Sequence, residues 1–186
     1  FKNVDVYDYC DNRQIILKKE ANYKIDVGLD HKKALQKKAS KLNFYKKFVT
    51  ADANKGLPFE SNVFQSIFSN IIYWLDDPEY IFGEIYRVLK PGGQCCVMLP
   101  SMQYIESSFY YKYCVQQQHE ELDFLKYIDR GRVAENLKIV KNREEWENII
   151  QNSGLKIKEC IPHLSKTLIQ IWDIGLRPMF PLLMKM

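Results

Sequence analysis

The stretch that decides the fold runs from Phe64 to Pro100 and reads FQSIFSNIIYWLDDPEYIFGEIYRVLKPGGQCCVMLP. Two short apolar runs, FQSIF and CCVML, flank a segment of helical periodicity, which predicts a βαβ unit with a right-handed crossover. We predict that Asp77 caps the helix, that Pro78 is its first residue and that KPGG ends it. Ligands of open α/β sheets bind beyond the carboxyl ends of the strands, which makes Asn70 and Ile71 candidate binding residues. The predicted buried face of the helix comprises Ile81, Phe82, Ile85, Val88 and Leu89.

Further elements are predicted on both sides of this stretch. Upstream, a helix is expected over residues 13–22, an alternating strand over 24–30, a helix over 31–42 and a strand over 48–50. Downstream, Asn142 and Glu145 predict a capping box at the start of another helix, and Gly154 suits the residue just after its end. Residues 155–161 and 167–173 read as the two strands of a hairpin.

The motif order S-N, then W-L-D-D-P, then a helix ending in R-V-L-K-P-G-G resembles class I S-adenosylmethionine-dependent methyltransferases, the small-molecule, methyltransferase-11-like branch in particular. The resemblance covers about residues 13–173. It implies a Rossmann-like, doubly wound α/β fold with a mostly parallel seven-stranded sheet and a C-terminal antiparallel hairpin. We expect one methyltransferase domain over residues 1–177, with a lid or substrate insertion at 101–141 and an apolar tail at 178–186.

The resemblance also implies roles for acids that follow two of the strands. Asp30 matches the acid that holds the ribose hydroxyls of the cofactor S-adenosylmethionine, since one carboxylate can accept from two adjacent hydroxyls. Asp52 matches the acid that accepts from the adenine amino group, and Ala53 would offer its backbone N–H to the ring. For both aspartates the alternative is a structural role in a turn or helix cap. His31 would pack against the adenine or simply be solvated.

The remaining candidate residues would lie near the transferred methyl group. In the resembling family, the loop that Asn70 and Ile71 match lies beside the methionine part of the cofactor, whereas the structural alternative is a polar strand cap. Trp74 could line the acceptor pocket or belong to the core. His119 is the best candidate for a general base by residue type alone, and otherwise an exposed histidine in a polar helix.

Class I S-adenosylmethionine-dependent methyltransferases carry a glycine-rich loop after their first strand, and this sequence contains no such loop. No glycine precedes Gly28, and residues 1–12 do not resemble a strand followed by that loop. Either the loop has been lost from the sequence near Asn12 and Arg13, or the protein truly lacks it. We expect the first, because removing a central parallel strand would expose the buried edges of both its neighbours. This hypothesis predicts a chain break between Asn12 and Arg13.

Composition places few further limits on function. The 186 residues carry a formal net charge of +4, with no apolar run long enough for a membrane span and no signal peptide. Five cysteines without zinc-type spacing predict reduced thiols in a cytoplasmic protein and no metal site. We therefore expect a transferase of the EC 2.1.1 class that methylates an O, N or C atom of a small molecule and releases S-adenosylhomocysteine.

Two other functions remain open at this stage. Ten lysines between Lys18 and Lys47 could bind the phosphates of an RNA substrate, but a solvated lysine-rich helix face is the preferred explanation and we expect no nucleic-acid partner. The missing glycine loop would also fit a non-catalytic binding module of methyltransferase fold. A nicotinamide-dependent dehydrogenase needs the same glycine fingerprint and leaves the R-V-L-K-P-G-G motif unexplained. The sequence indicates neither the methyl acceptor nor the oligomeric state.

Overall fold

A computed structural model describes residues 22–122 and 139–171 of the chain. The chain divides into two compact units, Phe1–Phe59 and Glu60–Met186, each described separately below. The predicted helix over residues 13–22, except for its last residue, the predicted chain break at Asn12–Arg13 and the apolar tail at 178–186 lie outside the described residues. The single domain over residues 1–177 stays a prediction.

The described part of the first unit is a parallel βαβ motif. Strand β1, Ile25–Asp30, is followed by helix α1, Lys33–Lys41, and by strand β2, Tyr45–Thr50. The strands pair in parallel, with Gly28 opposite Phe48 and Asp30 opposite Thr50. The predicted strand at 24–30 and helix at 31–42 are confirmed, whereas β2 begins three residues earlier than predicted. A short 3-10 helix, Ala53–Lys55, follows β2.

The second unit is built around the βαβ motif that the sequence predicts. Strand β3, Phe64–Ser69, leads through a short 3-10 helix, Ile72–Trp74, to helix α2, Pro78–Val88. The Asp77 carboxylate accepts a hydrogen bond from the backbone N–H of Tyr80 at 3.0 Å, which confirms the predicted cap. All five residues predicted for the apolar face are buried, namely Ile81, Phe82, Ile85, Val88 and Leu89. Helix α2 therefore supplies much of the core of this unit.

The KPGG sequence ends helix α2 at Val88 but does not form a separate turn before the next strand. Strand β4, Leu89–Val97, contains it, and the parallel register with β3 shifts between the pairs Phe64–Leu89 and Ser66–Gln94. A Cβ atom at Gly93 would lie 2.8 Å from the carbonyl oxygen of Lys90, so only glycine fits there. The four residues therefore form an irregularity within β4.

The segment after β4 is largely helical. Helix α3, Met102–Ser107, precedes a π-helix, Tyr111–Gln116, and a short 3-10 helix, Glu120–Leu122. Helix α4, Arg143–Asn152, begins with the predicted capping box, since the Asn142 side chain accepts from the Glu145 N–H and the Glu145 carboxylate accepts from the Asn142 N–H. Gly154 has a φ of +91°, as expected for the residue after a helix end.

The predicted C-terminal hairpin is wrong. Residues 155–165 form no strand, and the second predicted strand is instead helix α5, Lys166–Ile171. The Ser165 hydroxyl accepts from the backbone N–H of Leu168 at 3.2 Å, and its carbonyl accepts from that of Ile169 at 3.0 Å. Ile169 is buried, whereas Leu168 and Ile171 are exposed. In a strand every second side chain would face the core, so burial of this one residue fits a helical turn better than a strand.

The two βαβ motifs place the chain in the α/β class with a Rossmann-like parallel arrangement. Within residues 22–122 and 139–171 the strands form two separate parallel pairs, β1 with β2 and β3 with β4. The predicted seven-stranded, doubly wound sheet is not seen in these ranges. None of the described helices has the length and apolar character required to cross a membrane.

Candidate cofactor and acceptor site

Asp30 lies at the carboxyl end of β1 and keeps one carboxylate oxygen available. Its Oδ1 accepts a hydrogen bond from the backbone N–H of Lys32 at 2.8 Å, just before helix α1. The imidazole Nδ1 of His31 lies 3.6 Å from the same oxygen, and the His31 side chain is largely exposed. Among the described residues, Oδ2 of Asp30 has no hydrogen-bond partner. The local fold therefore uses only one of the two carboxylate oxygens of Asp30.

Asp52 repeats this arrangement at the end of the neighbouring strand. Its Oδ1 caps the short 3-10 helix by accepting from the backbone N–H of Asn54 at 3.0 Å. The backbone N–H of Ala51 donates to the carbonyl of Asp30 at 3.1 Å, which joins the two strand ends. Both aspartates therefore lie at the same edge of the β1–β2 pair. Within the described ranges, Oδ2 of Asp52 has no partner.

Ala53 presents an unsatisfied backbone donor beside Asp52. The residue is buried, with 6% of its surface exposed. Its N–H group finds no acceptor in the part of the chain that the structure describes. Ala53 is the first residue of the 3-10 helix, so its N–H is one of the donors that a helix start ordinarily leaves without an intrahelical partner.

Asn70, Ile71 and Trp74 lie in the loop after β3, in the second unit. The backbone N–H of Ile71 approaches the Ser69 hydroxyl at 3.4 Å, and the Met98 N–H donates to the Ser69 carbonyl at 2.9 Å. Asn70 and Ile71 are exposed at the carboxyl edge of the β3–β4 pair. Trp74 is 42% exposed and packs against Tyr73, so it is not part of the buried core of this unit.

His119 lies in the segment after β4, close to a carboxylate that the sequence reasoning missed. Its Nδ1 is 2.6 Å from Oε1 of Glu121. Hydrogen bonds from its own backbone N–H and from the His119 ring lower the pKa of the Glu121 carboxyl. In the sequence, the only sign of this pair is the spacing His-x-Glu. That spacing does not predict a contact unless the backbone brings both side chains together, as it does here.

The remaining reactive side chains do not form a further site. Within the described residues no three or more His, Cys, Asp and Glu side chains are grouped as a metal would require.

Two exposed lysines of the first βαβ motif have local partners. Lys46 pairs with Asp26 at 2.6 Å, and the Lys24 ammonium donates to Asn43 at 2.8 Å. These contacts are typical of a solvated charged face.

Comparison with known proteins gives a family for the part of the chain that holds these strands. Residues 14–97 match the methyltransferase domain family. A ubiquinone/menaquinone biosynthesis C-methyltransferase of Desulfotalea psychrophila is 38% identical over 68 residues, which cover 33% of this chain and 27% of that protein. Phosphoethanolamine N-methyltransferase 2 of Caenorhabditis elegans is 38% identical over 71 residues, covering 38% of this chain and 16% of that protein. The chain thus spans less than a third of either relative.

A solved structure gives a weaker likeness. The crystal structure of an S-adenosylmethionine-dependent methyltransferase from Thermotoga maritima, described as a possible histamine N-methyltransferase, is 21% identical with a TM-score of 0.48. The match covers 72% of this chain and 56% of that one. Residues 14–97, which include the R-V-L-K-P-G-G motif, are thus similar to the methyltransferase domain family.

Proposed function

We propose that this chain transfers a methyl group from S-adenosylmethionine to an O, N or C nucleophile of a small molecule, leaving S-adenosylhomocysteine. The observation that carries the proposal is the pair of aspartates at the carboxyl ends of β1 and β2. Asp30 and Asp52 each use one oxygen for the local fold, which leaves the other oxygen without a partner in the described residues. The capping residue Asp77 also uses only one oxygen, so the support for the proposal is the position of Asp30 and Asp52 at one sheet edge, where two acceptors suit a ligand with several donors.

The donor and acceptor groups of the first unit fit the adenosine part of the cofactor. Oδ2 of Asp30 would accept from the ribose hydroxyls, and Oδ2 of Asp52 would accept from the exocyclic amino group of adenine. The unpaired N–H of Ala53 would donate to a ring nitrogen, which only has lone pairs to offer. His31, exposed beside Asp30, would cover one face of the adenine. Each group matches the ligand atom in hydrogen-bonding character.

The family resemblance also implies roles for three residues of the second unit. Asn70 and Ile71 would contact the methionine part of the cofactor, and exposed Trp74 would form a wall for the acceptor. When bound, the cofactor supplies a methyl group already activated on a positively charged sulfonium. The chain's own residues therefore contribute mainly by holding the acceptor in line and excluding water.

The atom that receives the methyl group can be O, N or C. The two curated relatives are named as a C-methyltransferase and an N-methyltransferase, so the names of related proteins do not restrict it to one element. We prefer a small molecule to an RNA substrate, because the exposed contacts of Lys24 and Lys46 are typical of a solvated charged face. A small molecule is the acceptor class that we propose.

Calorimetric titration of the full chain with S-adenosylhomocysteine tests the proposal. We expect micromolar binding by the natural sequence and weaker binding by Asp52→Ala. Asp26→Ala is the matched control, because Asp26 lies on β1 but faces solvent, with 74% of its side chain exposed. Absence of binding by a folded chain would overturn the proposal and support a non-catalytic binding module of methyltransferase fold.

A further inference from the structure

Two stretches of the second unit contain no charged residue. Residues 61–75 include β3 and the loop that follows it, and residues 91–105 include most of β4 and the residues that follow it. Neither stretch contains an Asp, Glu, Lys, Arg or His residue, although charged residues make up 27% of the chain. A surface formed by these stretches therefore offers a ligand no ionic partner of its own.

Backbone hydrogen bonds bring the two stretches together at the carboxyl edge of the β3–β4 pair. The Met98 N–H donates to the Ser69 carbonyl at 2.9 Å, one residue beyond the last register pair, Ser69 with Val97. The Ile71 N–H lies 3.4 Å from the Ser69 hydroxyl, and the Trp74 N–H donates to the Ile71 carbonyl at 2.9 Å. Ile71, Trp74 and Met98 therefore lie at one end of one strand pair, wholly inside the second unit.

These three residues form a surface that we call the apolar edge. Each is partly exposed, with 36% of the surface of Ile71, 42% of that of Trp74 and 38% of that of Met98 open to solvent. Ile72 and Leu75 of the same loop are buried, so the loop is packed against its own unit. The exposed apolar side chains are therefore presented by an anchored loop.

The backbone beyond Met98 is also held in place. The buried side chain of Trp146 donates from Nε1–H to the Pro100 carbonyl at 3.0 Å. One residue later, Ser101 forms an isolated parallel bridge with Lys141. This bridge brings a lysine to the stretch that follows the apolar edge. A preference for anions is therefore the alternative to a preference for uncharged ligands.

The free energy of burial favours an uncharged ligand at the apolar edge. Apolar ligand surface that covers these side chains removes both surfaces from water, which is favourable. A charged ligand would instead lose its hydration against side chains that cannot pair with it, which is costly. Ligands of open α/β sheets bind beyond the carboxyl ends of the strands, so the apolar edge lies where an acceptor would be recognised.

We propose that the methyl acceptor is an uncharged, predominantly apolar molecule and that the apolar edge recognises it by burial. This inference rests on the proposed function and deepens it, because it names the character of the acceptor. The Trp74 ring covers a flat part of the acceptor, and Ile71 and Met98 contact its remaining apolar surface. Charged acceptors are selected against at the same place. The recognition requires no residue of the first unit.

Equilibrium dialysis of the full chain with three naphthalenes tests the inference. 2-Naphthol is uncharged at pH 7, since phenolic hydroxyls have a pKa of about 10. 2-Naphthalenesulfonate and 2-naphthylmethylammonium carry the same ring system with a negative and a positive charge. We expect 2-naphthol to bind about tenfold more tightly than either ion. Equal or tighter binding of either ion overturns the inference, and tighter binding of the sulfonate would assign this surface to anions through Lys141.

Substitutions in the apolar edge locate the binding. Trp74→Ala should weaken binding of 2-naphthol about tenfold, which corresponds to the loss of about 50 Å² of apolar contact. Met98→Gln adds a polar amide at similar side-chain length and should also weaken binding. Ile161→Asn is the control, because Ile161 is 67% exposed but lies outside both uncharged stretches, and it should bind as the natural sequence does. An equal loss in all three variants, or a loss in none, overturns the assignment to the apolar edge.

Titration of the natural sequence with S-adenosylhomocysteine separates this inference from the proposed function. A chain that binds S-adenosylhomocysteine but prefers a charged naphthalene would keep the proposed function and refute the apolar character of the acceptor. A folded chain that does not bind S-adenosylhomocysteine would refute the proposed function, and the inference about its acceptor would fail with it.

Discussion

Substitution of Asp30 can separate the structural role of this carboxylate from its proposed role in binding ribose. Oδ1 accepts from the Lys32 N–H at 2.8 Å, and Oδ2 is the oxygen assigned to the ligand. Asp30→Asn keeps a side-chain oxygen for Lys32 but replaces the other oxygen with an amide that can only donate. Asp30→Ala removes both acceptors. The two variants should therefore differ in stability while both lose affinity for the cofactor.

The magnitude follows from the hydrogen bonds that each variant loses. A hydrogen bond to a charged group contributes about 1.5–3 kcal/mol, so losing one ribose contact in Asp30→Asn should weaken binding of S-adenosylhomocysteine by about 10- to 160-fold. Asp30→Ala should lose at least as much affinity. It should also reduce the free energy of unfolding by about 1 kcal/mol, the usual contribution of a helix-start acceptor, whereas Asp30→Asn should leave it nearly unchanged.

The assays are calorimetric titration with S-adenosylhomocysteine and urea unfolding without ligand. Asp26→Asn is the control on the same strand, because its pair with Lys46 is exposed and such pairs contribute little. That variant should keep both affinity and stability. Natural affinity in folded Asp30→Asn and Asp30→Ala would falsify the ribose assignment and leave Asp30 with only its structural role.

Three other predictions concern stability and reactivity. Trp146→Phe leaves the half-buried carbonyl of Pro100 without its donor and should cost about 0.5–1.5 kcal/mol in urea unfolding, whereas the exposed control Trp74→Phe should change stability by less than about 0.5 kcal/mol; equal effects would contradict a stabilising hydrogen bond from Trp146. Asn142→Ala removes the capping box and should cost about 0.5–2 kcal/mol by the same measurement, with no change counting against the box. Burial, and secondarily the neighbouring thiol, raises the pKa of Cys95, so less of it is thiolate at neutral pH. Peptide mapping after iodoacetamide should find Cys95 modified more slowly than exposed Cys96, with the difference shrinking as pH rises; faster reaction of Cys95 would contradict its burial.

The elements that the sequence predicted well are those whose signals are local. Helix α2 has an N-cap, a proline at its first position and an apolar face of period 3.6, and its start and buried residues were all predicted. The capping box of helix α4 is equally local. For the same reason Asp30 and Asp52 could be placed at strand ends, because each comes directly after a recognisable apolar strand. What they bind stays a prediction that the titrations above decide.

The sequence predicted the wrong local structure where a short segment is compatible with more than one type of secondary structure. Residues 167–173 contain apolar side chains that suit a strand, but a single buried residue, Ile169, and a serine cap at Ser165 stabilise one helical turn instead. In the same way KPGG is a strong breaker in sequence, yet its glycines let β4 continue through an irregularity opposite β3. Both outcomes depend on contacts with residues far away in sequence, which no local window contains.

The His119–Glu121 pair illustrates a further limit, because its geometry depends on rare backbone conformations. The sequence does not predict the contact between His119 and Glu121, because residues two apart in a regular helix point to different sides. A π-helix and a left-handed Gln118 bring the two side chains within hydrogen-bond distance, and neither has a sequence signature in this stretch. Asp30 and Asp52 thus lie at the ends of regular strands, whereas the His119–Glu121 pair lies in irregular backbone. If the proposed function is correct, cofactor affinity should respond to substitutions of Asp30 and Asp52.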